Sequence, residues 1–469
     1  MAHTGRQLKA LFSGKRHELD MTQGSIVKNL LIFALPLLVG NLFQQFYNLV
    51  DAWVVGQTDA DAAYSAVGTL GPVINILIGF FSGLANGAGV VIAQCFGGKD
   101  REGVRRATHT AILMTLAMAV VFTVVGVLAT PTVLSLVLHS SEDSAVYPHA
   151  KTYLNIYFAG VISLMLYNMG AGILRAVGDS RRPLYFLILS VLTNAGLDIY
   201  FVLHLNMGVA GAAWATVISQ SISAVLVLLV LFFDQSWVRL SLRAMRVDTS
   251  MLSRIIRIGI PAAIQMAVTS FSNVFVLSYI SGAVGDQTVN LGAYATFSKV
   301  DQFLFLPIQS IALAVSTFVA QNLGTGDVAR AKRDTRMALY IATGCTAVIT
   351  VPITLFASPL ARLLKDDPAI VQAATLLLQA ITVFHLPCCV NQVYASALRG
   401  AGNSRAPMLI MMTSFIGVRQ LYLFVVSRFV SNELLPLCMG FPVGWLVCSL
   451  IITVYYHRFR FAPIPPRAS

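Results

Sequence analysis

Residues 93–106 read AQCFGGKDREGVRR, and residues 320–333 read AQNLGTGDVARAKR, so the Ala-Gln, Gly, Asp and Arg positions recur 227 residues later. A second pattern, Leu-Arg-x-x-Gly-x-Ser-Arg-x-Pro, occurs at residues 174–183 and again at residues 398–407. A third match aligns Pro36 with Pro261 and continues to residues 48 and 273. Three ordered matches at nearly constant spacing indicate an internal duplication of the chain.

The composition excludes a water-soluble protein. The chain has 469 residues, of which 57% are hydrophobic and 11% are charged, and its mean hydropathy is +0.75. Apolar runs such as residues 26–50 and 107–137 exceed the ~20 residues that a helix needs to cross a bilayer. Alternating strands of a membrane barrel are not seen. We therefore expect an all-α polytopic membrane protein, and duplication in such a chain is typical of a transporter.

Breaks at Gly, Pro and charged residues divide the apolar blocks into twelve predicted membrane-spanning helices, six in each copy. Those of the first copy cover residues 26–52, 63–93, 107–137, 152–173, 184–204 and 209–233. Those of the second copy cover residues 254–281, 289–320, 337–361, 370–396, 407–428 and 434–457.

The distribution of basic residues predicts the orientation of the chain. Most of the 32 Lys and Arg residues lie in segments on the same side as the N-terminus, so both termini are expected in the cytoplasm. Both duplicated loops are basic and share this face, which makes the copies parallel. We expect two six-helix lobes related by a pseudo-two-fold axis along the membrane normal. The net charge of +12 then reflects membrane loops and not a nucleic-acid partner.

The domain organisation follows from these spans. Residues 1–24 are polar and basic without an apolar region, so we expect a cytoplasmic tail and no signal peptide. The six cysteines show no CxxC spacing and are expected to be packing residues. The predicted segments are the tail 1–24, the N-lobe 25–233, an amphipathic cytoplasmic linker 234–250, the C-lobe 251–457 and a cytoplasmic tail 458–469.

Five charged residues remain inside predicted spans, and each costs about 2.5–3.5 kcal/mol near a span centre. Each should therefore have a partner or face a water-filled cavity. The first copy contributes only acids, whereas the second contributes two bases and one acid. The five residues are Asp51, Asp198, Lys299, Asp301 and Arg419.

The acids of the first copy each share a helical face with a polar side chain. Asp198 follows Asn194 by four residues, and Asp51 follows Tyr47 by four residues. Two carboxylates in one desolvated pocket raise each other's proton affinity, so such a pair can load and release a proton. The alternative is a set of static interhelical hydrogen bonds that fix the packing. The other predicted members of this polar pocket are Asn168 and Thr216.

The charges of the second copy admit several interpretations. Asp301 and Arg419 are predicted to form a neutralised structural pair. Lys299 lies two residues from Asp301 and so faces another direction, where it is a candidate substrate or gating group. His385 precedes Pro387 and is either a titrating group or a buried neutral histidine that bonds a carbonyl freed by the proline.

Pro36 lies inside the first predicted span, fifteen residues before Asp51. A proline removes a backbone hydrogen bond and kinks a helix. We expect Pro36 to act as a hinge that links ion binding at Asp51 to helix movement.

Together these features resemble the multidrug and toxic compound extrusion (MATE) family over residues 25–457, and the DinF-like branch most closely. The resemblance rests on Pro36, on the sequence YNLVD at residues 47–51 and on the two duplicated loops. It implies a two-lobed antiporter that expels organic cations in exchange for H⁺ or Na⁺. In that branch an Asp of the first span and an Asn-x-x-x-Asp of the fifth bind the ion, and Asp51, Asn194 and Asp198 match.

The resemblance also sets the expected partners. It implies amphipathic cationic substrates, the lipid bilayer of the plasma (inner) membrane, a monomer, no cofactor and no nucleic acid. The coupling ion is H⁺ or Na⁺, with Na⁺ binding considered at Asp51 and Asp198. The NorM-like branch carries additional acids in spans 7 and 10, which this chain lacks, so coupling of that type is not expected.

Three other functions compete with this one. A flippase for lipid-linked saccharides would need a basic cavity, to which Lys299 and Arg419 could contribute. A membrane-embedded enzyme is disfavoured because HExxH and GxSxG motifs are missing and Asp366-Asp367 is isolated. A channel would have no use for ion-coupling acids.

Overall fold

The computed structural model describes residues 19–56, 61–138, 146–233 and 236–464. Within these ranges, the side chains of residues 48–49, 51–53, 55–56, 61–69, 72 and 136–138 fall outside the description. The helices of the first copy are α1 (Ile26–Gly56), α2 (Asp61–Gly97), α3 (Arg101–Leu138), α4 (Val146–Ala159), α5 (Val161–Ala176), α6 (Arg181–Asp198) and α7 (Gly208–Phe233). A π-helical turn, Ile199–His204, continues α6.

All regular elements among the described residues of the second copy are helical as well. Its helices are α8 (Thr249–Ser281), α9 (Gln287–Gly324), α10 (Val328–Leu355), α11 (Ala357–Leu364), α12 (Pro368–Ile381), α13 (His385–Gly400), α14 (Arg405–Met412), α15 (Arg419–Val425), α16 (Leu434–Cys438) and α17 (Gly440–Arg458). A 3₁₀ turn, Thr382–Phe384, separates α12 from α13, and π-helical turns Thr413–Val418 and Val426–Val430 flank α15.

The number of apolar helices agrees with the predicted twelve spans. Among the described residues, eleven helical segments are long and apolar enough to cross a bilayer, and the pair α4 and α5 adds a twelfth if it is one span. That pair is bent by 47° at Gly160, where a Cβ would collide with Val217 of α7. Large apolar side chains such as Leu128 and Val348 are more than 70% exposed, as expected of a surface that faces lipid.

The chain divides into two compact units. The first unit is built around Leu35–Ala263. The second unit contains Ile264–Pro465 together with Thr22–Ala34. This division differs from the predicted lobes 25–233 and 251–457. The leading part of α1 belongs to the second unit, and the leading part of α8 belongs to the first unit. In both helices the boundary between the units lies within three residues of a proline, Pro36 in α1 and Pro261 in α8.

The leading part of α8 packs closely against α2 within the first unit. A Cβ on Gly83 would collide with the backbone of Ala263, and a Cβ on Gly87 would collide with the backbone of Gly259. Only glycine permits such backbone approach between helices in a membrane. The sequence therefore selects small residues along this contact.

The first duplicated loop is a helix-to-helix turn with the same hydrogen bonds in both copies. The backbone N–H of Asp100 donates to Cys95, and that of Asp327 donates to Asn322, both at 2.9 Å. Each aspartate then caps the next helix: Gly103 N–H donates to Asp100 Oδ1 (2.8 Å) and Arg330 N–H donates to Asp327 Oδ1 (2.7 Å). The repeated Asp is explained by this structural requirement.

The second duplicated loop turns through a left-handed glycine in each copy. Gly178 has φ +89° and Gly402 has φ +84°, which residues with a Cβ rarely adopt. The following residues, Asp179 and Asn403, donate backbone hydrogen bonds to the carbonyls of Leu174 and Leu398 at 3.0 and 2.9 Å. This geometry closes the helix C-terminus in both copies.

The linker, of which residues 236–250 are described, packs against α2 and α3 within the first unit. Trp237 meets the Phe96 ring edge-on at 5.3 Å, and Leu240 is buried. Asp248 accepts hydrogen bonds from the backbone N–H groups of Ser250 and Met251 (2.9 and 3.0 Å) and so begins α8. These bonds, Met251 first, lower the pKa of Asp248 below its ordinary value. The described part of the linker is thus an extended segment that packs on the first unit, and its only regular element is the 3₁₀ turn Leu242–Ala244.

Candidate functional site

The first unit encloses a polar cluster between α1, α6 and α7. Asp198 is the last residue of α6 and is 0% exposed. Asn194, one turn earlier, is 1% exposed. With its amide oriented so that both ends find a partner, Asn194 donates to Asp198 Oδ2 (2.8 Å) and accepts from the backbone N–H of Thr216 (3.2 Å). The predicted shared face of Asn194 and Asp198 is confirmed.

Tyr47 extends this cluster to α1. Its hydroxyl lies 3.0 Å from Thr216 Oγ1, and Thr216 is itself buried. Four of the six predicted residues of the first copy, Tyr47, Asn194, Asp198 and Thr216, are therefore connected by hydrogen bonds. We call these four residues the Asp198 cluster.

The π-helical turn after Asp198 marks the end of the regular helix. Residues 199–204 form i→i+5 bonds, and such turns in α-helices often occur at functional sites because they leave backbone groups free to meet other partners. In the membrane, polar backbone needs protein or water partners. Asp198 thus lies at the transition from α-helix to π-helix at the end of α6.

Asn168 lies in a separate hydrogen-bonding arrangement. Its Nδ2 donates to the carbonyl of Leu164 (2.9 Å), and its Oδ1 accepts from Ser82 of α2 (3.4 Å). The expected bond of Asn168 to the same pocket as Thr216 is not among its described contacts. This contact links α5 to α2, and a role of Asn168 in ion binding stays a prediction.

Asp51 lies on α1, one turn after Tyr47, and its side chain falls outside the described residues. A residue four positions after Tyr47 lies on the same helical face, and Tyr47 contacts Thr216 of the Asp198 cluster. The position of Asp51 on the backbone is therefore consistent with the predicted acid pair, which stays a prediction.

The second unit contains a carboxylate paired with a histidine. Asp301 Oδ1 of α9 lies 2.9 Å from His385 Nε2, at the start of α13. The His385 ring is fully buried and packs edge-on against Phe305 at 5.0 Å and tilted against Trp445 at 4.8 Å. The predicted pair of Asp301 with Arg419 is therefore wrong, because the acid reaches across to α13.

Arg419 begins α15 and is 1% exposed. Its Nη1 donates to Asn273 Oδ1 (3.0 Å) and lies 3.4 Å from Ser272 Oγ. The guanidinium lies 4.8 Å from the ring centres of both Phe415 and Phe441, where the aromatic faces attract a cation. Arg419 makes no ion pair with a described carboxylate, and its stabilisation comes from amide, hydroxyl and ring contacts.

The remaining predicted residues have simpler surroundings. Lys299 is exposed on α9 and, among the residues that the structure describes, makes no ion pair. Pro36 lies inside α1 and is half-buried, and its role as a hinge remains a prediction.

Sequence reasoning missed a buried acid next to the first duplicated loop of the second copy. Asp334 of α10 is 2% exposed and accepts a hydrogen bond of 2.6 Å from Asn322, which is 0% exposed. Its basic neighbours suggested an exposed loop. The available signal was the helical spacing of Ala331, Asp334 and Ala338, which share one buried face.

A duplicated all-α chain with two compact units and charged groups enclosed in apolar helices has the architecture of a polytopic membrane transporter. The family model MatE matches residues 36–200 and 261–425, once on each copy and with a spacing of 225 residues. The chain belongs to the MatE family. Members of this family are secondary transporters and not enzymes.

Individual relatives cover nearly the whole chain. The "Probable multidrug resistance protein YoeA" of Bacillus subtilis is 29% identical over 445 residues, covering 92% of this chain and 94% of that protein. The "Probable multidrug resistance protein YpnP" of the same organism is 27% identical over 442 residues, with 94% and 97% coverage. A crystal structure of MATE in complex with MaL6 superposes with a TM-score of 0.87 at 22% identity, covering 94% of this chain and 98% of that one. The predicted fold class and family are confirmed.

Proposed function

We propose that this chain is a secondary antiporter that exports amphipathic, cationic organic compounds from the cytoplasm in exchange for H⁺ or Na⁺. It would act as a monomer in the plasma membrane with both termini cytoplasmic, in the manner of the DinF-like branch. The names of the bacterial relatives, which are probable multidrug resistance proteins, support the efflux of small organic molecules. The observation that carries the coupling site is the fully enclosed Asp198.

The burial of Asp198 is the physical basis of this proposal. A carboxylate removed from water and held among apolar helices costs several kcal/mol when it stays charged without a cation. Neutralisation by a proton or a sodium ion removes much of that cost. Asn194 donates one hydrogen bond to the carboxylate, which fixes its orientation and does not neutralise it. The site therefore favours occupation by a cation.

Both candidate ions fit the donor types of the Asp198 cluster. Carboxylate and hydroxyl oxygens are hard ligands that suit small alkali and alkaline-earth cations. The same carboxylate accepts a proton. For one-to-one exchange of a monovalent cation, the ~2.3 kcal/mol per 100 mV gained by the entering ion is spent on the leaving one. Net export then depends on the concentration gradient of the coupling ion.

Dye efflux from proteoliposomes tests the proposal. We expect efflux of a fluorescent organic cation when a pH gradient alone, or a sodium gradient alone, is imposed. Asp198→Asn should abolish gradient-driven efflux, because an amide neither takes up a proton nor neutralises a cation, while the protein remains folded in the membrane. Asp51→Asn is expected to have the same effect.

A matched control lies between the same two helices. Ser223 of α7 donates a buried hydrogen bond of 2.9 Å to the carbonyl of Phe186 on α6, away from the Asp198 cluster. Ser223→Ala removes a bond of similar strength from this packing interface and should keep efflux near the level of the unaltered protein. Full gradient-driven efflux by both aspartate variants would reject the ion site.

The flippase alternative is separated by the same vesicles. It requires a basic surface open to a phosphorylated headgroup, whereas Arg419 is enclosed by Phe415 and Phe441. We therefore expect no acceleration of lipid scrambling under conditions that give dye efflux. Scrambling without efflux would favour the flippase.

A further inference from the structure

The protonation of the Asp301–His385 pair is determined by the second ring nitrogen of the histidine. His385 Nδ1 lies 3.0 Å from the carbonyl oxygen of Thr382. A carbonyl oxygen only accepts hydrogen bonds, so Nδ1 carries a hydrogen. In the neutral ring, Nε2 then has a lone pair and no hydrogen.

That lone pair would face a carboxylate oxygen at 2.9 Å. Two acceptors at this distance repel each other, and burial strengthens the repulsion. The contact is attractive only when one additional proton is present, either on Nε2 or on the Asp301 carboxyl. Neither Asp301 Oδ1 nor His385 Nε2 has a hydrogen-bond partner among the described residues, so the ring N–H would not point directly at Oδ1. The attraction is therefore mainly that of an ion pair.

The surroundings of the pair hold few other charges. Phe305 and Trp445 cover the ring. On the carboxylate side, Tyr294 of α9 and Cys388 of α13 lie within electrostatic range of Asp301. Lys299, two residues away on α9, faces another direction. The side chain of Asp301 is 19% exposed and that of His385 is 0% exposed, so the carboxylate is the more accessible member of the pair.

Two more titratable groups complete the neighbourhood. Three groups lie within electrostatic range of Arg419: Tyr294, Cys388 and Cys448 of α17. Arg419 is held by Asn273 and the two phenylalanine rings and makes no ion pair with Asp301. The histidine is therefore the group that balances the carboxylate.

The pair lies beside a break in a membrane helix. The 3₁₀ turn Thr382–Phe384 interrupts the helix between α12 and α13, and His385 is the first residue after it. Pro387 contributes no backbone donor in the next turn. The carbonyl of Thr382 that fixes the histidine belongs to this turn. Discontinuous helices of this kind are common at ion sites of transporters.

We propose that Asp301 and His385 together bind one exchangeable proton inside the second unit. Loss of this proton leaves the neutral ring facing the carboxylate, and the two separate at the helix break. The site is additional to the Asp198 cluster, and only its consequence for transport rests on the proposed function.

Proton binding is measured directly by ¹⁵N NMR of histidine-labelled full-length protein in lipid nanodiscs. The His385 signals are assigned by their loss in His385→Gln. We expect Nδ1 to carry a hydrogen at every pH and Nε2 to gain one toward acidic pH. In Asp301→Asn the His385 ring should stay neutral down to a more acidic pH, because the variant lacks the carboxylate that favours the protonated ring. Asp301→Glu should restore the original curve and guards against a folding defect.

Asp198→Asn is the matched control, since it removes a buried acid from the other unit and should leave the His385 curve unchanged. A His385 ring that stays neutral across the whole range, or that titrates identically in Asp301→Asn, would overturn the proton site. Failure of Asp198→Asn to stop efflux would reject the proposed function and leave the His385 titration as it is. The two proposals are therefore tested independently.

Discussion

The two copies of this chain are alike at their turns and different inside their apolar helices. Asp100 and Asp327 cap equivalent helices with nearly equal hydrogen bonds. In the fifth span of each copy the likeness ends: Asn194 and Asp198 align with residues 418 and 422, which are Val and Tyr. Turn geometry constrains sequence locally, so it is retained in both copies, whereas the interior of each copy has its own chemistry.

The interiors differ in the sign of the charge that they enclose. The first unit encloses Asp198, whose carboxylate accepts a hydrogen bond from the amide of Asn194. The second encloses Arg419 between two rings and gives its carboxylate, Asp301, a histidine. A buried charge is tolerated only where its surroundings provide complementary groups. The two copies thus share their turns, but one encloses an acidic side chain and the other encloses both a basic and an acidic side chain.

The largest stability effect is expected where the second unit makes room for Arg419. A Cβ on Gly444 of α17 would lie 3.1 Å from Arg419 Nε and 3.2 Å from Phe415 Cδ1. Gly444→Leu should therefore destabilise the protein by about 3 kcal/mol, because overpacking must displace the guanidinium from its rings. Thermal unfolding of the detergent-solubilised protein, followed by size-exclusion chromatography, measures the change.

Gly196 is the matched control in the first unit. It lies on α6 between Asn194 and Asp198, and a Cβ there meets nothing within 4 Å. Gly196→Leu should not lower the unfolding temperature, because an exposed helix position gains helix propensity when glycine is replaced. Equal destabilisation by both variants would show that the enclosure of Arg419 does not distinguish the two interiors.

Smaller and equal effects are expected at the duplicated caps. Asp100→Ala and Asp327→Ala each remove one side-chain bond to a helix N-terminus, so each should cost about 1 kcal/mol. The measurement is again thermal unfolding, with Asp100→Asn and Asp327→Asn as controls because asparagine caps nearly as well. Alanine variants that differ strongly from each other would mean that the two turns are not equivalent.

Much of the fold could be predicted from the sequence because hydrophobic length and turn residues are local signals. The twelve spans follow from hydrophobic length, the duplication follows from turn residues that recur along the chain, and the Asn194–Asp198 face follows from spacing along one helix. The close approach of Gly160 to Val217 could not be predicted, since it depends on how two helices pack. The exchange of the leading parts of α1 and α8 between the units likewise depends on contacts made far along the chain.

The second unit's site was less predictable than the first. Sequence places Asp301, His385 and Arg419 on three different helices, and several pairings satisfy the requirement that a buried charge be compensated. The choice of His385 over Arg419 depends on helix rotation and on the rings of Phe415 and Phe441, which occupy the guanidinium. Pairing between helices is decided by packing, and composition and spacing do not determine packing.

The smallest effect on the unfolding temperature is expected at one position of the first duplicated loop, where the two copies have different residues. At the left-handed position of the first duplicated loop, one copy has Lys99 with φ +56° and the other has Gly326 with φ +88°. A Cβ costs roughly 1–2 kcal/mol in this conformation, whereas glycine costs about 0.5–1 kcal/mol in additional backbone entropy. Lys99→Gly should therefore raise the unfolding temperature slightly, and Gly326→Ala should lower it. A Cβ on Gly326 would come no closer than 3.9 Å to another atom, Cβ of Pro463, so the loss would be conformational and not steric. Shifts of the same sign in both variants would contradict the equivalence of the two turns, because the same backbone angle must favour glycine in both.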